Sequence, residues 1–151
     1  VQWSNLNRQH FFRSHIGRNK AEALAEIIRE IRGDMPLEVH PIRVTEKNVV
    51  NLFQACDVVI EAFDSVESKT MLMKAFLSDD LKHTRLVAAS GLAGYRSSNT
   101  IRTTRLGSRI YVCGDLESDG LTEGVMAPRV ILAACHQANM AVRLICGKEE
   151  V

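Results

Sequence analysis

With 151 residues, 46% hydrophobic and 25% charged, the chain holds enough apolar material for one packed domain, which argues against a disordered or low-complexity protein. A formal net charge of +1 argues against broad attachment to nucleic acid or anionic membrane. No apolar run approaches the ~20 residues of a membrane span, and no charged-then-apolar leader opens the chain.

Residues 1–9 are polar and loop-like, and Val1 starts the chain as though in mid-fold, which implies a missing N-terminal part. Gly17 precedes a predicted helix from Asn19 to Ile31, with Leu24, Ile27, Ile28 and Ile31 at helical spacing. Gly33-Asp34-Met35-Pro36 ends it, and Leu37–Val44 alternates like a strand. Thr45 is placed to cap a short helix with Asn48–Phe53 in its body. Asp57–Phe63 is a compact apolar run of the kind buried in parallel sheets. A helix over Ser65–Leu77 and a strand over Arg85–Ala89 follow. Thr100–Arg105 and Arg109–Cys113 predict two strands whose short link, Leu106-Gly107-Ser108, favours an antiparallel pair. Asp115–Gly124 is an acidic loop, expected to be a mobile crossover. Ala127–Cys146 predicts a long apolar helix closed by Gly147. Strand and helix alternate as in an open α/β sheet with right-handed crossovers.

Cys56, Cys113, Cys135 and Cys146 form no CxxC pair, so reduced thiols are expected, three of them in apolar surroundings that imply burial. Arg96, Arg102, Arg105 and Arg109 cluster in one segment. They suit either a solvated edge hairpin or a surface that meets acidic groups on a partner.

Three stretches in order, Ser4-Asn5-Leu6-Asn7-Arg8-Gln9, Gly17-Arg18-Asn19-Lys20-Ala21 and Asp57–Ser65, resemble motifs of the ThiF/MoeB/HesA family, relatives of the ubiquitin-activating enzymes. Cys113-Gly114-Asp115 and Gly124-Val125-Met126-Ala127-Pro128-Arg129 are similar to its thiamine-pathway branch. The resemblance spans residues 1–151 and implies an adenylating domain with a Rossmann-like, mostly parallel sheet and an antiparallel C-terminal extension. The family's opening, a strand, a G-x-G-x-x-G loop, a helix and an acid-ended strand, is absent. Gly91-Leu92-Ala93-Gly94 follows a later strand and lacks that spacing. The resemblance therefore implies that the N-terminal glycine-loop βα unit and the ribose-binding acid lie upstream of Val1.

The implied reaction joins a carrier protein's C-terminal carboxylate to the α-phosphate of ATP and releases pyrophosphate. A carboxylate is already ionised at neutral pH, so no protein nucleophile is needed. The obstacle is one anion approaching another, so catalysis is positioning and cationic charge. The resemblance assigns ATP to Ser4, Asn5, Leu6, Asn7, Arg8, Gln9, Lys20, Asp64 and Ser65, with Arg8, Lys20 and Asp64 catalytic. Arg8 brings a permanently charged donor fork. Lys20 sits in a helix's first turn, where a phosphate would gain from both the ammonium and the free N–H groups. Asp64 follows a buried strand at the edge where α/β sheets bind ligands. A carboxylate beside a triphosphate calls for a bridging Mg²⁺, with Ser65 left to cap the next helix. Each residue also has a plain alternative: a surface arginine, a solvated helix face, an N-cap.

The lone Cys113 gives no zinc site, and Leu116–Gly124 holds no cysteine for a covalent link to a carrier. The leading expectation is a cytoplasmic, homodimeric adenylyltransferase acting on a ThiS-like sulfur-carrier protein in thiazole biosynthesis, with ATP and Mg²⁺ and without nucleic-acid or membrane partners. A molybdopterin-type carrier, a tRNA-linked carboxylate, and a non-catalytic scaffold for a ubiquitin-like protein are the alternatives. A nicotinamide oxidoreductase would share the framework, but nothing in the sequence reads as hydride chemistry.

Overall fold

The computed structural model describes the backbone of residues 1–151 and every side chain except that of Asp79. The chain forms two compact units, Val1–Arg43 and Val44–Val151.

The first unit is built on helix α1, Lys20–Ile31. Asn19 caps it by accepting the Ala21 N–H at 2.9 Å. Its buried residues are the small Ala23 and Ala25, whereas Leu24 and Ile31 of the predicted apolar face are exposed. The predicted strand over Leu37–Val44 is absent: these residues are irregular. A strand needs a neighbour for its ladder of hydrogen bonds, and no residue from 1 to 43 is in a strand. Turns before α1 are short 3₁₀ pieces at Trp3–Asn5 and Arg13–His15.

The second unit opens with a short helix α2, Val49–Phe53. Asn48, not Thr45, is its N-cap residue, and the Asn48 side chain accepts the Thr45 N–H at 2.7 Å. There follow β1 (Val58–Ile60), α3 (Val66–Leu77), β2 (Arg85–Ala89), β3 (Arg102–Leu106), β4 (Ile110–Gly114), α4 (Gly120–Glu123) and α5 (Ala127–Ile145). The sheet runs β1-β2-β4-β3, with β1, β2 and β4 parallel and β3 antiparallel to β4. This is the expected mostly parallel α/β sheet with an antiparallel extension.

Strand alternation sorts the core into two faces. Val59, Leu86, Ala88, Ile110 and Val112 pack with Leu72 and Phe76 of α3. Val87, Tyr111 and Cys113 point the other way, onto Met140 and Leu144 of α5. A sheet covered on both faces explains why β4 is buried at every position. No helix among the described residues is long and apolar enough to cross a membrane.

The parallel strands end together, and their loops are drawn tight. Ser90 N–H donates to Cys113 O at 3.1 Å and Asp115 N–H to Gly91 O at 2.8 Å, which extends the β2–β4 pairing past the strand ends. At Gly114 (φ 147°) an added Cβ would lie 1.7 Å from Ser90 O, so only glycine permits that approach.

Phe76 is fully buried between α3 and the sheet. Phe76→Ala is expected to lower the unfolding free energy by about 3–5 kcal/mol, read by urea denaturation. A loss below about 1 kcal/mol would show that this face collapses around the gap and is not closely packed.

Candidate functional site

In the first unit the Ser4–Gln9 stretch folds on itself. Asn5 is buried, its side chain accepts the Gln2 N–H at 2.8 Å, and its carbonyl accepts from Gln9 N–H at 2.9 Å. Arg8 Nη1 donates to Ser4 O at 2.7 Å and Asn7 Oδ1 at 2.9 Å. These contacts hold the guanidinium against its own turn while using only part of its donor fork. Gln9 Oε1 is buried without a hydrogen-bond partner among the described residues, an acceptor that a water or ligand would complete. Gly17 N–H donates to Val1 O at 2.9 Å, which ties this stretch to the residues leading into α1. Lys20 is the first residue of α1 and is exposed. An open groove of about 580 Å³ beside α1 is lined by charges of both signs, including Arg18, Glu26 and Arg29, and by none of the predicted site residues.

In the second unit the turn after β1 carries Glu61, Asp64 and Ser65. Ser65 is the N-cap of α3, accepting the Ser68 N–H at 3.2 Å. Asp64 is exposed, and its side chain is not consumed by capping. The plain alternative of Asp64 as the cap is thereby removed. A solvent-facing carboxylate of this kind fits Mg²⁺, which takes hard oxygen ligands and typically shares them between one or two carboxylates and substrate phosphates. Among the described residues there is no cluster of three or more His, Cys, Asp and Glu that would hold a metal by protein groups alone.

Glu61 was not singled out by sequence reasoning. It is 3% exposed, and both its oxygens meet Lys69 Nζ, at 2.8 and 2.9 Å. Gln137 of α5 reaches the same corner, donating to Glu61 O at 2.9 Å and Val87 O at 3.1 Å. A carboxylate inside the apolar run Val58–Phe63 was the available signal, because a buried charge requires a partner.

The acidic segment after β4, expected to be a mobile crossover, is anchored at its first residues, Asp115–Ser118. Asp115 is buried and pairs with the buried Arg129 at 2.5 Å. Asp115 Oδ1 also accepts from the N–H groups of Glu117 and Ser118 and from the Ser118 hydroxyl, at 2.8–3.0 Å. Arg129 Nη1 donates to Arg96 O and Ser97 O at 3.0 and 2.8 Å. One ion pair thus joins the loops after β2 and β4 to the start of α5. Burial pushes the Asp115 carboxyl upward, but the Ser118 and Glu117 N–H groups, the Ser118 hydroxyl and Arg129 outweigh it and hold it below the usual value.

The arginine cluster is mostly engaged within the chain. Arg96 pairs with Glu123 at 2.8 Å, Arg105 with Glu149 at 3.0 Å, and Arg109 donates to Ser78 O at 3.0 Å. Arg102 is exposed. Of the cysteines only Cys113 is buried; Cys56, Cys135 and Cys146 are exposed, which corrects the expectation of three buried thiols. Apolar neighbours do not settle burial here: Ala55, Ala134 and Ile145, each beside one of these cysteines, are exposed as well. Burial pushes the Cys113 thiol up against a weaker opposing hydrogen bond from Thr103, so it is a poor nucleophile.

Parallel strand ends carrying a free acid, a capped helix and pinned loops form the kind of edge at which open α/β sheets bind ligands. The chain belongs to the ThiF family, whose model matches residues 1–151. It is 23% identical over 155 residues to the sulfur carrier protein ThiS adenylyltransferase of Bacillus subtilis (strain 168), covering 99% of this chain and 45% of that protein. It is 33% identical over 109 residues to the tRNA threonylcarbamoyladenosine dehydratase of Escherichia coli (strain K12), covering 71% of this chain and 40% of that one. The chain thus spans less than half the length of these curated relatives. Among solved structures it resembles TcdA (CsdL), with TM-score 0.81, 21% identity and coverage of 97% of this chain and 73% of that one. An ATP complex of the E. coli tRNA N6-threonylcarbamoyladenosine dehydratase, TcdA, gives TM-score 0.80 at 21% identity, covering 97% of this chain and 72% of that one. These likenesses establish a Rossmann-like fold.

Arg129→Met leaves Asp115 buried and unpaired and is expected to cost about 3–5 kcal/mol by denaturant unfolding. The folded Asp115 carboxyl titrates below its unfolded value of about 4. Its contribution is therefore complete above that pH and is lost as pH falls toward the lower folded value. Asp115→Asn should lower stability at neutral pH and flatten the acid limb of a stability–pH curve. An acid limb of unchanged slope would remove Asp115 from that titration.

Proposed function

We propose that residues 1–151 act as an ATP-dependent adenylating domain that activates the C-terminal carboxylate of a ThiS-like sulfur-carrier protein. The observation that carries this reading is the family match along the whole chain, joined to an exposed Asp64 at the C-terminal edge of the parallel sheet. The B. subtilis relative, named for ThiS adenylylation, supports the substrate, and the ATP-bound TcdA structure supports the nucleotide.

In this reading Arg8 orients the triphosphate through its planar donor fork. Lys20 adds an ammonium at the start of α1, where free backbone N–H groups also favour an anion. Asp64, with Ser65 beside it, holds Mg²⁺ jointly with the nucleotide. The metal supplies charge neutralisation for the leaving pyrophosphate. Ser4, Asn5, Leu6, Asn7 and Gln9 keep the Arg8 turn in shape, and Gln9 Oε1 offers a waiting acceptor. The carrier carboxylate attacks the α-phosphorus, the bond to the bridging oxygen breaks, and pyrophosphate leaves. A carboxylate oxygen of the carrier becomes the bridging oxygen of the acyl-adenylate, and because that carboxylate is already ionised no proton need be removed.

Self-association belongs to the same reading. Ile131, Val142 and Ile145 leave an apolar, exposed face on α5, which supports a homodimer. A cytoplasmic setting follows from the proposed substrate. A second reading, activation of a tRNA-linked carboxylate, draws on the 33% identity to the E. coli dehydratase. The formal net charge of +1 weighs against it, because tRNA binding leans on clustered cationic groups.

The test is ATP–pyrophosphate exchange by the protein at its natural length, with ThiS-like and molybdopterin-type carriers and with modified tRNA as separate substrates. Exchange is expected with a carrier ending in Gly-Gly. Asp64→Ala and Arg8→Ala should each reduce it by about 100-fold or more. Exchange supported by tRNA alone would favour the second reading, and full activity in Asp64→Ala would take Asp64 out of the mechanism.

A further inference from the structure

The turn that presents Asp64 is pinned by a buried acid paired with a half-buried ammonium. Glu61 lies one residue past β1, and its carboxylate is held from several sides. Lys69 Nζ donates to both oxygens, Phe63 N–H donates to Oε1, and Ala89 N–H approaches Oε2 at 3.4 Å. Lys69 Nζ also donates to Ala89 O at 3.0 Å. Every N–H of the ammonium therefore has an acceptor, and Lys69 has no donor left for a phosphate.

Such a pair is a poor device for stability alone. Taking the Glu61 charge out of water costs several kcal/mol, while the Lys69 side chain keeps 33% exposure, and an apolar side chain in place of Glu61 would serve the core as well or better. Its position supplies another rationale. Glu61 tethers the backbone N–H of Phe63, the residue immediately before Asp64, while Ser65, immediately after it, is fixed as the cap of α3. Lys69 extends the tether from α3 to the end of β2. Asp64 is the free member between two fixed neighbours.

We propose that Glu61 and Lys69 are positioning residues for Asp64: the pair sets the 61–65 turn so that the Asp64 carboxylate is already oriented for a metal-bound nucleotide. The proposal rests on the adenylating reading of the site. A pre-set carboxylate spends nothing on reorganisation when the ligand arrives. Partners behind a metal ligand commonly change metal affinity by about 10- to 100-fold when altered.

The experiment is titration of the natural-length protein with Mn²⁺ in the presence of ATP, followed by electron paramagnetic resonance, beside thermal melting of each variant. Glu61→Gln and Lys69→Met are expected to weaken Mn²⁺–ATP binding by about tenfold, with most of it restored in Lys69→Arg. Variants that melt earlier but bind Mn²⁺–ATP like the wild type would overturn the proposal and leave the pair a structural one. Where Lys69→Met does not fold, Glu61→Asp decides. It keeps the charge but withdraws the carboxylate from Phe63 N–H, and undiminished binding in that folded variant overturns the proposal as well. A wild-type protein that binds no Mn²⁺–ATP defeats the adenylating reading itself, an outcome seen before any variant is compared.

Discussion

Three parallel strands end at one edge of the sheet, and each end is fastened by a charged group withdrawn from water. Glu61 after β1 meets Lys69 of α3, and Asp115 after β4 meets Arg129 of α5. The end of β2 takes part in both arrangements: Ala89 O accepts from Lys69, and Gly91 O accepts from Asp115 N–H. Each buried ion would cost several kcal/mol if left alone. Each of these ions is therefore held by several hydrogen bonds to side chains and to backbone groups of the neighbouring loops, although Arg129 Nε is left without one among the described residues. The side chain left facing solvent between them is Asp64.

The apolar core makes this arrangement possible. Alternate residues of β2 and β4 divide between α3 and α5, so both faces of the sheet are closed and its strands stay in register. Polar groups then enter at the ends, where they meet backbone carbonyls and N–H groups that the ladder no longer uses. Gln137 is an example, an amide in the middle of an apolar helix that donates to Glu61 O and Val87 O. An edge with fixed loops follows from the topology, and it is at such strand ends that open α/β sheets bind ligands.

Much of this was legible in the residues. The strand at 85–89, the hairpin read over 100–113 and the long final helix are held by the structure within a residue or two, while the apolar run at 57–63 yields a strand only at Val58–Ile60, since its last residues form the turn that carries Glu61. The segment over Leu37–Val44 misled because alternation states a capacity for pairing and says nothing of whether a neighbour is present. The buried pairs were missed for a different reason. Glu61 and Lys69 are eight residues apart and Asp115 and Arg129 fourteen, and neither partner identifies the other without the fold. Arg129 beside an uncharged stretch from Val130 to Val142 was a clue in itself, since a charge in such a helix is seldom buried without a partner. Asp64 was legible through the motif around it, while its freedom depends on Ser65 serving as the cap, a choice between neighbours that the sequence left open.

The central claim is that the solvent-facing Asp64 carboxylate meets a metal-bound nucleotide, and a crystal structure of the natural-length protein with Mn²⁺ and a non-hydrolysable ATP analogue tests it most directly. The expected result is an anomalous Mn²⁺ peak beside Asp64, with the metal also on oxygens of the analogue's phosphates. A nucleotide bound elsewhere, or a metal site to which Asp64 contributes nothing, would contradict it.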